Sequence, residues 1–171
     1  RLFAGSFPPL NGAKMAAIMA DHHDPEEEGI IDLWPTKMLR RRLDDFEAWN
    51  KELVKLVREL ERANKNLTTD YLAPDLFNMD HPAVNWLRDQ VNGTIIEYLR
   101  HLGINYAVNW TITGWSSVNR FGDYHDAHNH PWSYLSGTYY VKMPATRETL
   151  RSRSDIRPGC ITFYDPRPGV N

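Results

Sequence analysis

The chain has 171 residues, of which 20 are Lys or Arg and 22 are Asp or Glu, so its formal net charge is -2. This balance excludes the strongly basic surface of a protein whose obligatory partner is nucleic acid or an anionic membrane. The single cysteine excludes a disulfide framework, and no apolar run reaches the roughly 20 residues of a membrane span, so we expect a cytoplasmic protein of one domain.

The beginning of the chain predicts an extension followed by the folded domain. Residues 1–29 mix prolines, glycines and acidic residues with little periodicity, which is typical of an extension. The folded domain is predicted to cover residues 30–171, with a first strand at residues 30–36. Three consecutive arginines follow at residues 40–42. Such a run is usually a solvated face, and binding of a phosphate or carboxylate is the alternative.

Two amphipathic helices are predicted next. Asp44 and Glu47 have the spacing of a capping box, and the apolar stripe after them predicts a helix that ends near Ala63. Pro82 suits the first turn of a second helix, and Gly103 suits the left-handed residue after its end. The apolar stripes are Phe46, Trp49, Leu53, Leu56, Val57 and Leu60 in the first helix, and Val84, Leu87, Val91, Ile95, Tyr98 and Leu102 in the second.

From residue 104 onwards the periodicity is that of β-structure. Over residues 104–113 apolar and polar residues alternate, which predicts a strand. Residues 132–141 and 159–164 are rich in β-branched and aromatic residues and predict further strands. Helices followed by a succession of strands indicate an α+β fold, in which the sheet closes as a sandwich or a barrel.

Three of the seven histidines lie within six residues, at the start of one of these predicted strands. In extended chain, residues two apart point to the same side, so His128 and His130 can face one metal ion. His125 has the opposite parity and is the weaker candidate for a ligand. Neutral imidazoles bind Fe, Zn, Cu or Ni, and the spacing does not choose among these metals. The alternative is that these side chains form hydrogen bonds within a polar loop.

Several short motifs are spread over residues 33–167. They are Trp115 to His125, His128-Asn129-His130-Pro131, Leu135-Ser136-Gly137-Thr138-Tyr139-Tyr140-Val141 and Phe163-Tyr164-Asp165-Pro166-Arg167, with Leu33-Trp34-Pro35-Thr36 upstream of them. Together these motifs resemble the 2-oxoglutarate-Fe(II) oxygenase family known mainly from bacteria and phages. The resemblance covers about residues 30–168.

This resemblance implies a double-stranded β-helix, a jelly-roll barrel with the two helices packed outside it. It also implies Fe(II) and 2-oxoglutarate as cofactors, with the metal held by a His-x-Asp/Glu motif and a distant histidine. His128 matches the first histidine of that motif. His130 stands where the carboxylate normally is, so the site would be all-histidine or would take a carboxylate from elsewhere.

The resemblance also implies a distal histidine, and a basic residue that pairs with 2-oxoglutarate, after the Asp-Pro-Arg turn at residues 165–167. The chain ends at Asn171. We therefore expect the last strands of the barrel to lie beyond that residue, because a jelly roll without them would leave open sheet edges.

Strand parity and the resemblance together select candidates for the rest of the pocket. Ser136 and Tyr140 share one face of the predicted strand. By resemblance to prolyl hydroxylases, Tyr140 would form a hydrogen bond with 2-oxoglutarate and Asn119 would lie beside it, with core packing as the alternative for Tyr140. Trp115 and Trp132 could line an opening for substrate, and aromatic packing is the alternative for both.

The resemblance implies an oxygenase that hydroxylates a small-molecule or peptidyl substrate in the cytoplasm of a bacterium or a phage-infected cell. Such an oxygenase needs no obligatory nucleic-acid or membrane partner, and it could be a monomer or a homo-oligomer. Two alternatives stand beside it. One is a catalytically inactive jelly-roll module with a binding or structural role, and the other is a cupin-like dioxygenase with a three-histidine iron site and no 2-oxoglutarate.

Overall fold

The computed structural model describes residues 36–65, 75–120, 122–143 and 159–165. Helix α1 covers Phe46–Ala63 and helix α2 covers Pro82–His101, with a short 3-10 helix, Leu76–Asn78, between them. The chain divides into two compact units, Arg1–His125 and Asp126–Asn171, each described by itself below. The predicted extension at residues 1–29 lies outside the described residues, as does the predicted strand at residues 30–36 apart from its last residue.

Both helices lie where the sequence predicts them. At the start of α2, the Nδ1 atom of His81 accepts a hydrogen bond from the backbone N–H of Ala83 at 3.2 Å, so His81 is the N-cap. Gly103 follows the helix with φ 78°, the left-handed conformation that ends helices. The apolar stripe of α2 ends differently from the prediction, because Leu99 is buried whereas Leu102 is 37 % exposed. Within the described residues, no helix is long and apolar enough to cross a membrane.

The predicted capping box of α1 is wrong. The N-cap is Asp45 rather than Asp44, with φ 54° and no hydrogen bond from its side chain to the helix. Glu47, the residue expected to close the box, instead accepts a hydrogen bond from Arg42 at 3.3 Å. The guanidinium of Arg42 also lies 4.5 Å from the centre of the Phe46 ring. Arg42 therefore pairs with the Glu47 carboxylate that a capping box would use, and α1 begins without a capping box.

The basic cluster at residues 40–42 attaches the chain before α1 to α2. Arg41 forms an ion pair with Glu97 at 2.9 Å, and 31 % of the Arg41 side chain is exposed. The hydroxyl of Tyr98 donates a hydrogen bond to the carbonyl oxygen of Lys37 at 3.0 Å. Glu97 and Tyr98 are neighbours on α2. These contacts give Arg41 an intramolecular partner in place of a bound anion.

The core lies between α1, α2 and the 3-10 helix. Leu56, Leu76 and Val84, one from each of these elements, form a buried cluster. Trp49 of α1 stacks on Trp86 of α2 with ring centroids 5.9 Å apart and planes inclined by 15°. Offset aromatic stacking of this kind adds about 0.5–1.5 kcal/mol to the burial of the rings. The two helices thus pack together around a small apolar core.

The predicted strands and the jelly-roll barrel are wrong, because the described residues contain no strand and no sheet. The alternation nevertheless appears in burial from Val108 to Ile112: Val108, Trp110 and Ile112 are half-buried, and the residues between them are exposed. It does not extend to Tyr106, which is 66 % exposed. A strand also requires backbone hydrogen bonds to a neighbouring strand. Here the inward face meets a helix instead, where the indole N–H of Trp110 donates to the Asn92 side chain of α2 at 2.9 Å.

Asp75 attaches residues 104–120 to the 3-10 helix. One carboxylate oxygen of Asp75 accepts hydrogen bonds from the backbone N–H of Phe77 at 3.0 Å and of Gly114 at 2.8 Å. The carbonyl oxygen of Gly114 in turn accepts from the backbone N–H of Leu76 at 2.8 Å. These bonds bring the backbone of Gly114 against the Phe77 ring.

Replacing Gly114 by alanine is expected to destabilise the protein by about 1–3 kcal/mol. A Cβ atom at residue 114 would lie 2.6 Å from the Phe77 Cε2 atom, so the ring or the backbone must move. The measurement is the denaturant midpoint of Gly114→Ala against that of the parent chain.

The matched control is Gly93→Ala. Gly93 lies inside α2, and a Cβ atom there meets nothing within 4 Å. Alanine should therefore stabilise the helix by up to about 1 kcal/mol, because it lowers the entropy of the unfolded chain. If the denaturant midpoint of Gly114→Ala rises as that of Gly93→Ala does, the Phe77 ring does not lie as close to residue 114 as described.

Candidate functional site

His128 and His130 lie side by side in the second unit. Their ring centroids are 5.2 Å apart and their planes are inclined by 74°. A metal ion about 2.1 Å from a ring nitrogen lies roughly 3.2 Å from the ring centroid, so two imidazoles on one ion have centroids about 4.5–5.2 Å apart. The observed separation is compatible with two ligands of one ion and equally with an ordinary edge-to-face contact between two rings.

A backbone carbonyl group fixes the tautomer of His128. The Nδ1 atom of His128 lies 2.7 Å from the carbonyl oxygen of Asp126. A carbonyl oxygen can only accept, so Nδ1 carries the proton of the neutral ring and Nε2 carries the lone pair. Histidines that bind metals usually donate their second N–H to a carbonyl or carboxylate oxygen in this way. Nε2 is therefore the atom through which His128 would bind a metal.

His125 is held by a different partner, within the first unit. Its Nε2 atom lies 3.2 Å from the Oδ1 atom of Asn119. The amide oxygen accepts, so in the neutral ring Nε2 carries the proton and is not the atom with the lone pair. The lower rank of His125 as a ligand stays a prediction, and this hydrogen bond is a physical argument for it. Asn119, predicted beside 2-oxoglutarate, is placed here as the partner of His125.

The described residues do not form a complete metal centre. Among them, no group of three His, Cys, Asp or Glu side chains is placed to hold a metal ion. A facial iron site takes three protein ligands and leaves positions open for other molecules. The roles of His128 and His130 in two of those ligand positions stay a prediction, and the described residues do not supply a third ligand.

Tyr140 provides a hydrogen-bond donor in the second unit. Burial raises the pKa of the Tyr140 hydroxyl above its ordinary value, and the nearby Cys160 raises that pKa further. Although 43 % of Tyr140 is exposed, its hydroxyl is therefore protonated at neutral pH. A protonated phenol can donate to a carboxylate oxygen. Tyr140 would have to donate such a hydrogen bond in order to bind 2-oxoglutarate.

Burial alternates along residues 135–141 as a period of two would predict. Leu135, Tyr139 and Val141 are half-buried, whereas Ser136 and Tyr140 are exposed. The two hydroxyl side chains proposed as cofactor contacts thus share the exposed side of this segment. Their roles toward a cofactor stay predictions.

The two tryptophans predicted to line a substrate opening differ in exposure. Trp132, in the second unit, is 97 % exposed, which is incompatible with packing against the described residues. Trp115, in the first unit, is 38 % exposed and lies on the outward side of the alternation in residues 104–120. An exposed indole can contact a ligand through its apolar face and its N–H. A role for either side chain in substrate binding stays a prediction.

Sequence reasoning missed two features of these units. It did not find the Asp126 carbonyl group that orients His128, because a backbone atom leaves no mark in the sequence pattern. It also did not find the ion pair between Glu61 and Arg120, whose atoms lie 2.5 Å apart. These residues are far apart in the chain, and no short-range spacing connects them.

Comparison with known proteins gives one family. Residues 113–168, about a third of the chain, match the family described as "Putative 2OG-Fe(II) oxygenase". No curated protein and no solved structure matches the chain. The matched residues include His128, His130 and Tyr140. The match supports the resemblance to 2-oxoglutarate-Fe(II) oxygenases for this part of the chain. The name of that family implies Fe(II) and 2-oxoglutarate as cofactors of its members.

Proposed function

We propose that this protein is a non-haem Fe(II)- and 2-oxoglutarate-dependent oxygenase that hydroxylates a substrate. The observation that carries the proposal is the pair His128 and His130, whose ring separation of 5.2 Å suits two ligands of one ion. The pair lies inside the residues that match the oxygenase family. The orientation of His128 by the Asp126 carbonyl group supports the same role.

The proposed roles follow from the chemistry of each side chain. Nε2 of His128 and the ring of His130 hold the metal, and the Tyr140 hydroxyl donates a hydrogen bond to a carboxylate of 2-oxoglutarate. When bound, Fe(II) and 2-oxoglutarate supply oxygen activation, in which one oxygen atom enters the substrate, the other enters succinate, and carbon dioxide leaves. Ser136 offers a second hydroxyl group to the cofactor.

The substrate and location are further parts of this proposal. The exposed Trp132 offers an apolar surface for a small molecule or a peptidyl side chain. Cys160 is an exposed free cysteine, which suits a reducing compartment such as the cytoplasm. A bacterium or a phage-infected cell as the source rests on the resemblance of the motifs alone. The proposal includes no obligatory nucleic-acid or membrane partner.

The test is an anaerobic titration of the protein with Fe(II) and then with 2-oxoglutarate, followed by visible absorption. Chelation of the metal by 2-oxoglutarate gives a weak charge-transfer band, and we expect that band to saturate at one equivalent of iron. Succinate, which lacks the 2-oxo group, is the matched control and should give no band. Absence of the band in the full-length protein with both additions would contradict the proposal.

A second candidate is an iron dioxygenase with histidine ligands only and no 2-oxoglutarate. The observation that favours it is His130, an imidazole at the position where the family pattern has a carboxylate. A neutral ligand in place of an anionic one leaves more positive charge on the metal and changes its redox behaviour. Binding of Fe(II) in the titration without the charge-transfer band would select this candidate over the first.

A further inference from the structure

A charged cleft lies beside the end of α1, in the first unit. It has a volume of about 420 Å³ and is lined by Glu61, Arg62, Lys65 and Arg120. We propose that this cleft, the α1 cleft, binds a small molecule through an oxyanion, a phosphate or a carboxylate group. Its volume lies in the range of small-molecule sites, roughly 300–1,000 Å³.

The charges of the α1 cleft favour an anion. Among the described residues that line it, three cationic side chains against one carboxylate leave an excess of two positive charges. The C-terminus of a helix contributes about half a negative charge, which is too little to cancel that excess. Within the described residues, Arg62 and Lys65 form no ion pair, so their charges act on the cleft. A bound oxyanion would give Arg62 and Lys65 a partner of opposite charge.

Glu61 already occupies an oxyanion position in the α1 cleft. One of its carboxylate oxygens lies 2.5 Å from the Nη2 atom of Arg120. Glu61 is the more buried partner, with 22 % of its side chain exposed against 63 % for Arg120. A guanidinium has five N–H donors in a planar fork, so one carboxylate leaves donors that a ligand can use. Glu61 therefore acts as an internal competitor and marks where a ligand oxyanion would lie.

The backbone holds the cations of the α1 cleft in place. Helix α1 ends with a hydrogen bond from the Asn64 N–H to the Leu60 carbonyl oxygen at 2.8 Å, which positions Arg62 and Lys65 on either side of Asn64. The N–H of Arg120 donates to the Asp123 carboxylate at 2.7 Å, and the N–H of Asp123 donates back to the Arg120 carbonyl oxygen at 3.0 Å. This turn fixes the backbone from which the Arg120 side chain reaches Glu61.

The test is calorimetric titration of the metal-free protein at low ionic strength, with inorganic phosphate in one arm and malonate in the other. We expect saturable binding that weakens with added salt, because exposed charges are screened. Tighter binding of phosphate would identify a phosphorylated ligand, and tighter binding of malonate a carboxylate ligand. The measurement needs neither iron nor 2-oxoglutarate, so its result is independent of the proposed function.

Two variants locate the binding. Arg120→Gln should weaken it at least about tenfold, because the bidentate donor is lost. Glu61→Gln should tighten it about fivefold, because an exposed ion pair of roughly 1 kcal/mol no longer competes. Lys55→Gln is the matched control: this cation lies on the same helix, paired with Glu52 at 2.7 Å, and does not line the cleft.

Lys55→Gln should leave the affinity of the parent chain unchanged. Absence of saturable binding in both the parent chain and Glu61→Gln would overturn the proposal. An equal loss of affinity in Lys55→Gln and Arg120→Gln would also overturn it, since that result indicates attraction by net charge alone. The unfolding midpoint of each variant shows whether it is folded under the conditions of the titration.

Discussion

Replacing His128 by alanine is expected to raise the dissociation constant for Fe(II) by at least about 100-fold, because loss of a group that merely supports a ligand already costs 10–100-fold. His130→Ala should have a similar effect. The two rings lie 5.2 Å apart, so each variant leaves a single imidazole of the pair. The measurement is an anaerobic calorimetric titration with Fe(II), without 2-oxoglutarate.

His125→Ala is the matched control for this experiment. It removes an imidazole from the same short stretch of sequence, but one whose Nε2 atom donates to Asn119 at 3.2 Å. We expect its Fe(II) affinity to be close to that of the parent chain. If His125→Ala loses as much affinity as His128→Ala, the pair of His128 and His130 is not the metal site as described. The proposed function would then lose the observation that carries it.

Both helices could be predicted from the sequence because their signals are local. The stripe containing Leu53 and Leu56 repeats at helical spacing, and both residues are buried in the structure. Pro82 and Gly103 mark the two ends of α2 through backbone conformation alone. The start of α1 was wrong for a physical reason. Glu47 pairs with Arg42, and the strength of that competing pair cannot be read from the spacing of a capping box.

The strands could not be predicted correctly, because alternation reports burial and not pairing. Val108 and Ile112 face inward as their period of two indicates. Nothing in that period says whether the neighbour is a strand or a helix. In the structure the partner of Trp110 is Asn92 of α2, and that choice depends on residues distant in sequence. The prediction therefore had the inward face right from Val108 to Ile112, wrong at Tyr106, which is 66 % exposed, and it had the fold wrong.

The candidate site was predicted in its residue types more than in its contacts. The spacing of His128 and His130 indicated a pair, and the two rings do lie together. Asn119 was expected near 2-oxoglutarate, and the structure shows it bonded to His125. Side-chain partners such as this depend on a turn, here the one closed between Arg120 and Asp123. A turn of that kind sets which polar groups meet, and the motif alone does not specify it.

Asp75→Ala is expected to lower the free energy of unfolding by about 2–4 kcal/mol, because hydrogen bonds to a charged group contribute about 1.5–3 kcal/mol each. One oxygen of Asp75 accepts from the N–H groups of Phe77 and Gly114, and both bonds are partly buried. Alanine would leave the two donors without that acceptor. The measurement is chemical unfolding at neutral pH, with the slope against denaturant checked for each variant.

Two variants separate the hydrogen bonds of Asp75 from its charge and from general surface effects. Asp75→Asn keeps an oxygen that can accept both bonds, so it should lose clearly less stability than Asp75→Ala. Asp80→Ala removes a nearby carboxylate whose exposed contact with Asn85 is 3.5 Å long, and it should change stability by no more than about 0.5 kcal/mol. The described residues contain no sheet, so residues 104–120 are attached by single contacts, among them the Asp75 hydrogen bonds and the backbone hydrogen bond from Leu76 to Gly114. If Asp75→Ala unfolds at the same midpoint as Asp80→Ala, the attachment lies elsewhere, and the position of the segment that leads to Asn119 and His125 does not depend on Asp75.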